Sequence, residues 1–196
     1  MKEVFFDIKK YSYIKGDNID VSFIPMLIRR KLDLYGRAAL YTLYKVYDNE
    51  SKELVFASCY GDVDRVIKLI KQRQTDGEVS PSGFSSSVHN AAIGLFTLLE
   101  KNKKSYNSIS AGKESVSAGL LESIMIGDSI FCYSESLGGV ESVAISIERN
   151  NDGAFCLSEN SEDLPAKDGF DDLVKFLDGE SDLFISLLYT IRRLPK

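Results

Sequence analysis

The sequence contains few of the residues that build metal centres and disulfide frameworks. Its 196 residues include one histidine, three cysteines, four prolines and no tryptophan. His89 is the single histidine, and no two cysteines stand in a C-x-x-C spacing, so we expect no zinc or iron–sulfur site and no cofactor. The odd cysteine count and the apolar surroundings of Cys59, Cys132 and Cys156 predict reduced, buried thiols.

Long apolar runs and an excess of basic residues are missing as well. No run approaches the roughly 20 apolar residues that cross a bilayer, and Glu3 interrupts the basic start expected of a signal peptide. The chain carries 24 Lys and Arg against 29 Asp and Glu, and this net charge of −5 argues against nucleic-acid binding. We therefore expect a cytoplasmic protein with no membrane span and no nucleic-acid partner.

The composition is typical of one folded domain. Hydrophobic residues make up 44% of the chain and charged residues 27%, which is ordinary for a globular protein. A length of 196 residues fits one domain, since domains run to roughly 100–200 residues. We take residues 1–196 as a single domain, in which residues 158–196 form an acidic loop and C-terminal helices.

Strand and helix patterns alternate along the chain. Strands are predicted over residues 1–15, 53–59, 105–110, 129–133, 143–147 and 154–157. Helices are predicted over 34–48, 63–73, 88–101, 113–126, 170–177 and 184–191. Residues 74–87, rich in Ser, Gly, Pro and Asp, are predicted to form the longest loop. This alternation favours an α/β layered sandwich with a mostly parallel sheet.

Two polar patterns carry no ligand motif. The acidic cluster lacks the D-x-D-x-D-G register of a calcium loop, so we interpret it as a solvated face. Its members are Glu159, Glu162, Asp163, Asp168, Asp171 and Asp172. The glycines likewise match neither G-x-G-x-x-G nor the P-loop pattern.

Nucleophilic catalysis would need a cysteine within reach of His89. The spacing does not require such a pair, but an acyl-transfer or hydrolase enzyme that uses Cys59 or Cys132 with His89 is one alternative. A strand-to-helix turn at 111–114 has the form of a nucleophile elbow, yet its apex is Gly112. Such a turn belongs to a site that has lost its nucleophile, or it only shapes a pocket.

Three segments carry a resemblance to a known family. They are residues 57–61 (Ala-Ser-Cys-Tyr-Gly), 80–94, which begin Ser-Pro-Ser-Gly-Phe, and 108–115 (Ser-Ile-Ser-Ala-Gly-Lys-Glu-Ser). Over residues 20–135 the chain resembles the N-terminal half of β-ketoacyl-acyl-carrier-protein synthases, and most closely the short ketosynthase-like proteins grouped with chain-length factors. The resemblance implies a thiolase-like layered sandwich, present as a single N-terminal half-repeat with a short C-terminal helical extension.

The resemblance also implies the loss of catalysis. Ketosynthases have Thr-Ala-Cys at the elbow, whereas this chain has Ser110-Ala111-Gly112. The two catalytic histidines belong to the second half of the family fold, which we expect to be absent from a chain that stops at Lys196, and His89 lies in the wrong segment to replace them. By resemblance, Gly112 is a degenerate nucleophile position and no residue is catalytic.

What the resemblance implies for function is a partner role. The chain would be a chain-length factor that forms a heterodimer with a complete β-ketoacyl-acyl-carrier-protein synthase in fatty-acid-like, polyketide or aryl polyene elongation. Candidate partner-pocket or interface residues are Tyr60, Gly83, Phe84, Ser87 and His89. Acyl-carrier protein is a further candidate partner, and a scaffold that binds this carrier without shaping the product is a second alternative.

Overall fold

A mixed β-sheet of eight strands runs through the part of the chain that the computed structural model describes, residues 2–160 and 165–195. The strands are β1 (Val4–Lys15), β2 (Glu53–Ala57), β3 (Tyr106–Ile109), β4 (Ser129–Glu135), β5 (Glu141–Arg149), β6 (Phe155–Glu159), β7 (Leu183–Ile185) and β8 (Tyr189–Arg193). Their order in the sheet is β3-β2-β4-β5-β1-β6-β8-β7. Strand β3 therefore lies at one edge and the first strand of the chain lies near the middle.

The expectation of a mostly parallel sheet is wrong. Strand β2 pairs in parallel with β3 and β4, whereas the other five pairings among the described residues are antiparallel. A parallel pair needs a crossover connection, while short turns join antiparallel neighbours. Helices separate β2, β3 and β4, but turns of a few residues join the antiparallel neighbours β4 and β5, and also β7 and β8. The alternation of strands and helices ends at β4, and the parallel part of the sheet ends with it.

Helices cover both faces of the sheet. They are α1 (Met26–Arg29), α2 (Leu34–Val46), α3 (Val63–Asp76), α4 (Pro81–Ser87), α5 (Ala91–Glu100), α6 (Ser115–Ile126) and α7 (Phe170–Leu177). Leu54 and Phe56 of β2 pack in a core with α2 and α5, while Val55 and Ala57 pack in a second core with α6 and α7. A strand buried on both faces reads as a continuous apolar run. The layered α/β sandwich predicted from the sequence is confirmed.

The segment predicted to be the longest loop is largely helical. Helix α3 continues to Asp76 and ends at Gly77, whose φ of 75° is left-handed. Helix α4 then begins at Pro81, and the Ser80 hydroxyl accepts a hydrogen bond from the Gly83 amide at 3.2 Å. Serine at the N-cap and proline at the first helical position are both helix-start signals. The loop prediction at 74–87 is therefore wrong.

The last predicted helix, over 184–191, is instead a β-hairpin. Strands β7 and β8 pair Phe184 with Ile191, and both side chains are buried in the core that contains α7. The Ser186 hydroxyl accepts from the amides of Leu188 and Tyr189 at 3.3 and 3.1 Å, which fixes the turn. The C-terminal extension is thus one helix and a hairpin, and not a pair of helices.

Helix α7 is tied to the outer face of β1 by polar contacts. Tyr11 and Tyr13 donate hydrogen bonds to the two carboxylate oxygens of Asp178, at 3.1 and 2.7 Å. Lys15 pairs with Asp171 at 2.7 Å, so this member of the acidic cluster serves an ion pair. Glu162 and Asp163 of that cluster lie outside the described residues.

Within the described ranges, no helix is both long and apolar enough to cross a bilayer.

Candidate functional site at the ends of the parallel strands

The candidate site lies where the three parallel strands end. Segment 58–61 follows β2, segment 110–112 follows β3, and Glu135 closes β4. Carboxyl ends of parallel strands meet at one edge of a sheet, which is the usual place for a site in an α/β protein. The Ser110 hydroxyl donates to the carbonyl of Cys59 at 3.0 Å, which joins the first two segments. The topology therefore brings together segments that are about 50 residues apart in the sequence.

The strand-to-helix turn after β3 has the backbone of an elbow but carries no side chain at its apex. Gly112 is exposed and has a φ of +60°, and a Cβ atom built on it would meet nothing within 4 Å. The Ser115 hydroxyl accepts from the Ala111 amide at 3.0 Å and donates to the Gly112 carbonyl at 2.7 Å, which fixes the turn against the start of α6. The site thus presents a fixed, open position that has no nucleophile.

A buried carboxylate holds the segment that follows β2. Glu135 is 6% exposed, and its Oε2 accepts hydrogen bonds from the Ser58 hydroxyl and from the amides of Cys59 and Tyr60, at 3.1, 3.0 and 3.0 Å. Its other oxygen accepts from the Ser136 amide at 3.1 Å. Within the described residues no ion pair neutralises this carboxylate. Four hydrogen bonds therefore take the place of a cation.

His89 joins the ends of β2 and β3 from the side of α5. Its Nε2 lies 3.1 Å from the Ser58 carbonyl and its Nδ1 lies 2.6 Å from the Ser108 hydroxyl. A carbonyl only accepts, so Nε2 carries the proton and Nδ1 accepts from Ser108. The Tyr35 hydroxyl donates to the His89 carbonyl at 3.3 Å. Both ring nitrogens are thus occupied by structural partners, and the histidine precedes α5, which begins at Ala91 and not at 88 as predicted.

The cysteines do not form a dyad with this histidine. Cys132 is fully buried beside Thr42, and burial raises the pKa of its thiol to about 12. Cys156 is also buried, which raises its pKa. Cys59 is only partly buried, contrary to the prediction, but the ring nitrogens of His89 bond to Ser58 and Ser108 instead of to its thiol. The arrangement lacks the nucleophile–base contact that acyl transfer needs.

Tyr60 and Phe84, two of the predicted interface residues, project into solvent. Tyr60 is 58% exposed and Phe84 is 61% exposed. Ser87 is half-buried at the end of α4 and donates to the Phe84 carbonyl at 2.8 Å. Gly83 faces inward, since a Cβ atom on it would lie 3.0 Å from the Leu69 side chain of α3.

Helices α3 and α4 bury no residue, although they carry apolar side chains. We call the exposed apolar residues of this region the α3–α4 face. They are Val66, Ile67, Ile70, Phe84 and Val88, together with Tyr60, which precedes α3. An exposed apolar group on two ordered helices is typical of a protein–protein interface.

Sequence reasoning identified the elbow, Tyr60 and His89, but it missed the polar residues beneath them. Ser58, Ser108, Ser115 and Glu135 form the network that fixes the segment. The three serines lie within the segments that carry the family resemblance, but no role was assigned to them. The one signal was Glu135, an acid two residues after the apolar run at 130–133 in a strand that the structure buries throughout.

Comparisons with known proteins agree with this geometry. Residues 8–129 match the family model for the N-terminal domain of β-ketoacyl synthases. A search of curated proteins gives no match. Among solved structures, a ketosynthase (ApeO) in complex with its chain length factor (ApeC) from Xenorhabdus doucetiae includes a chain that aligns with a TM-score of 0.76 at 17% identity, covering 97% of this chain and 100% of that one.

Two further solved structures are similar over most of the chain. The ishigamide ketosynthase/chain length factor aligns with a TM-score of 0.59 at 12% identity, covering 81% of this chain and 68% of that one. A type II PKS acyl-carrier protein in complex with its ketosynthase bound to the hexaketide aligns with a TM-score of 0.58 at 13% identity, and here the coverage is 76% and 64%. These likenesses confirm the thiolase-like fold that the resemblance implied.

Proposed function

The chain belongs to the family of β-ketoacyl synthase N-terminal domains, and on that premise we propose that it acts as a non-catalytic, chain-length-factor-like subunit. Its partner in this proposal is a complete β-ketoacyl-acyl-carrier-protein synthase. The pair would extend an acyl chain in a fatty-acid-like, polyketide or aryl polyene pathway, and this subunit would help to set the length of the product.

The observation that carries the proposal is the empty elbow. Gly112 keeps the left-handed backbone of an elbow, with open space where a side chain would stand, but glycine offers no thiol for an acyl group. The position is open to a partner or substrate and chemically inert. A subunit that retains the shape of the site without its nucleophile suits a role beside an active copy of the fold.

The α3–α4 face supports the partner half of the proposal. Helix α3 has 14 residues and buries none of them, while Ile70 on this helix is 53% exposed. An ordered helix with Val and Ile on its surface gains its stability from packing against something. The structures from X. doucetiae and of the ishigamide system are complexes of a ketosynthase with a chain length factor, and we propose that a ketosynthase covers this face.

The cysteine chemistry argues against the enzyme alternative. Cys132 is sealed in the core with a raised pKa, and His89 has committed both ring nitrogens to Ser58 and Ser108. Cys59 would have to act without a base. The scaffold alternative remains compatible with the same surface and differs only in predicting that product length is independent of this subunit.

The test is co-expression with a complete synthase, followed by gel filtration and intact-mass analysis after incubation with acyl-carrier-protein thioesters. We expect a one-to-one complex in which the synthase carries the acyl adduct and this chain keeps its unmodified mass. An adduct on this chain that disappears in Cys59→Ala would establish the enzyme alternative. A monomer that forms no complex would overturn the partner role.

A further inference from the structure

We propose that Glu135 is a positioning residue, whose buried carboxylate aims Tyr60 at the partner subunit and so helps to set product length. The inference rests on the proposed function, because it assumes that Tyr60 faces the partner's acyl pocket. It adds a residue on a different strand, β4, to the set that controls the pocket.

A single carboxylate oxygen accepts from the side chain of Ser58 and from the consecutive amides of Cys59 and Tyr60, all within 3.1 Å. Two consecutive amides that point at one atom fix the orientation of both peptide planes, and these planes determine the direction in which the Tyr60 side chain leaves the backbone. Glu135 therefore controls the aim of Tyr60 without touching its ring.

Burying a carboxylate is costly unless hydrogen bonds replace its hydration. Here the carboxylate is 6% exposed and its neighbouring donors are neutral. Conversely, the amides of Cys59 and Tyr60 would lose their partner if a neutral apolar side chain replaced the acid. The charge and the segment thus stabilise each other.

The rest of segment 58–61 is fixed as well. The Gly61 amide donates to the Ser58 hydroxyl at 2.8 Å, and Gly61 adopts a φ of +63°. The Ser58 carbonyl accepts from the His89 ring at 3.1 Å, and the Ser115 hydroxyl lies 3.3 Å from it. A rigid backbone therefore carries an aromatic ring that is largely exposed. Rigid presentation of a contact residue lowers the entropic cost of binding, which is the arrangement expected if Tyr60 meets a partner.

The test uses the heterodimer with a complete synthase and measures product mass for Glu135→Gln, Tyr60→Ala and the double variant. Glutamine keeps the shape of the side chain but lacks the charge and has one acceptor oxygen instead of two. The charge-assisted hydrogen bonds to segment 58–61 therefore become weaker, and the segment loosens. We expect Glu135→Gln to move the product distribution by at least one elongation unit, in the same direction as Tyr60→Ala. In the double variant we expect no shift beyond that of Tyr60→Ala, since residues that act through one another are not additive.

Two controls separate positioning from general destabilisation. Ser134→Ala removes a buried hydrogen bond to the Tyr35 carbonyl from the preceding residue of β4 but touches nothing in segment 58–61, so we expect wild-type products. Glu135→Asp keeps the charge on a shorter side chain and should shift the products less than glutamine does. In the complex labelled with ¹⁵N-cysteine and ¹⁵N-tyrosine, the amide proton signals of Cys59 and Tyr60 should move upfield in Glu135→Gln and stay in place in Ser134→Ala.

Three results would overturn the inference. The first is an intact heterodimer in which Glu135→Gln leaves the products unchanged while Tyr60→Ala shifts them. The second is an additive shift in the double variant. The third is a product shift in Ser134→Ala equal to that in Glu135→Gln. If Tyr60→Ala itself changes nothing, the pocket role of Tyr60 is wrong and the inference falls with it, whereas absence of a complex with the synthase would refute the proposed function itself.

Discussion

Replacing Gly119 by alanine should destabilise the protein, although alanine is the better helix former. Gly119 lies in α6, where the helix crosses the sheet. A Cβ atom on this residue would lie 2.6 Å from the ring of Phe131 and 2.8 Å from the Cβ of Ala57. Both neighbours are fully buried in strands β2 and β4, so neither has room to withdraw. Helix α6, which follows the elbow, packs against the sheet at this contact.

The magnitude follows from two opposing effects. Alanine gains about 1 kcal/mol in helix propensity over glycine, while overpacking a full core costs about 1–3 kcal/mol. Two contacts under 3.0 Å put the cost in the upper part of that range, so we expect a net loss of about 1–2 kcal/mol. In a protein of this size that loss lowers Tm by about 2–8 °C.

The matched control is the same substitution at Gly94 in α5. There a Cβ atom would meet only the hydroxyl of Tyr106 at 3.3 Å and the ring carbon that bears it at 3.9 Å. That end of the side chain is free to shift by a few tenths of an ångström, so Gly94→Ala should leave Tm unchanged or raise it. Thermal unfolding followed by circular dichroism measures both variants. A Tm for Gly119→Ala equal to or above that of the wild type would refute the packing argument.

Three other predictions concern the site and the C-terminal helix. Phe84→Ala should leave the proposed heterodimer intact and lengthen or broaden the product distribution measured by mass, because it removes an exposed aromatic ring that would limit the partner's pocket. An unchanged distribution would show that the α3–α4 face does not control product length. In the native fold at neutral pH an alkylating reagent should modify Cys59 and spare Cys132, because burial raises the pKa of the Cys132 thiol to about 12. Peptide mapping identifies the labelled cysteine, and labelling of Cys132 in preference to Cys59 would contradict the prediction. The hydrogen bond to Asp178 raises the pKa of Tyr13, and burial together with the same carboxylate raises the pKa of Tyr11. The contribution of these bonds to stability is complete below the ordinary tyrosine pKa and is lost as pH rises through the raised values. Asp178→Asn should therefore show a smaller fall in Tm across that range than the wild type, and an equal fall would exclude the two bonds as the cause.

Local signals predicted most elements near the elbow. The alternation of Val4, Phe6 and Ile8 predicted β1, and Asp33 stands at the predicted N-cap of α2. The apolar run 54–57 predicted β2 because a strand buried on both faces shows no polar alternation. The glycine at the apex of the elbow was likewise visible in the sequence. Each of these features depends on neighbours within a few residues.

Features that depend on distant neighbours were not predicted. Phe184, Leu187, Leu188 and Ile191 have helical spacing, but the Ser186 hydroxyl fixes a turn between Phe184 and Ile191 and places the two leucines at its exposed tip. The role of Glu135 arises only because β4 lies beside β2, which brings its carboxylate to residues about 75 positions earlier. No sequence pattern records which strand will be the neighbour.

The position of β1 near the middle of the sheet has a consequence for synthesis. Lys15 pairs with Glu141 and Phe6 with Arg149, so β1 cannot pair with its neighbour β5 until roughly 130 further residues have been synthesised. At 5–20 residues per second the interval of roughly 130 residues lasts on the order of ten seconds. During that time β1, whose first half carries the apolar residues Val4, Phe5, Phe6 and Ile8, has no strand partner on either side. Unpaired strands with exposed apolar residues are prone to aggregation. We expect a nascent-chain chaperone, or the partner subunit itself, to shelter residues 4–15 until translation reaches β5.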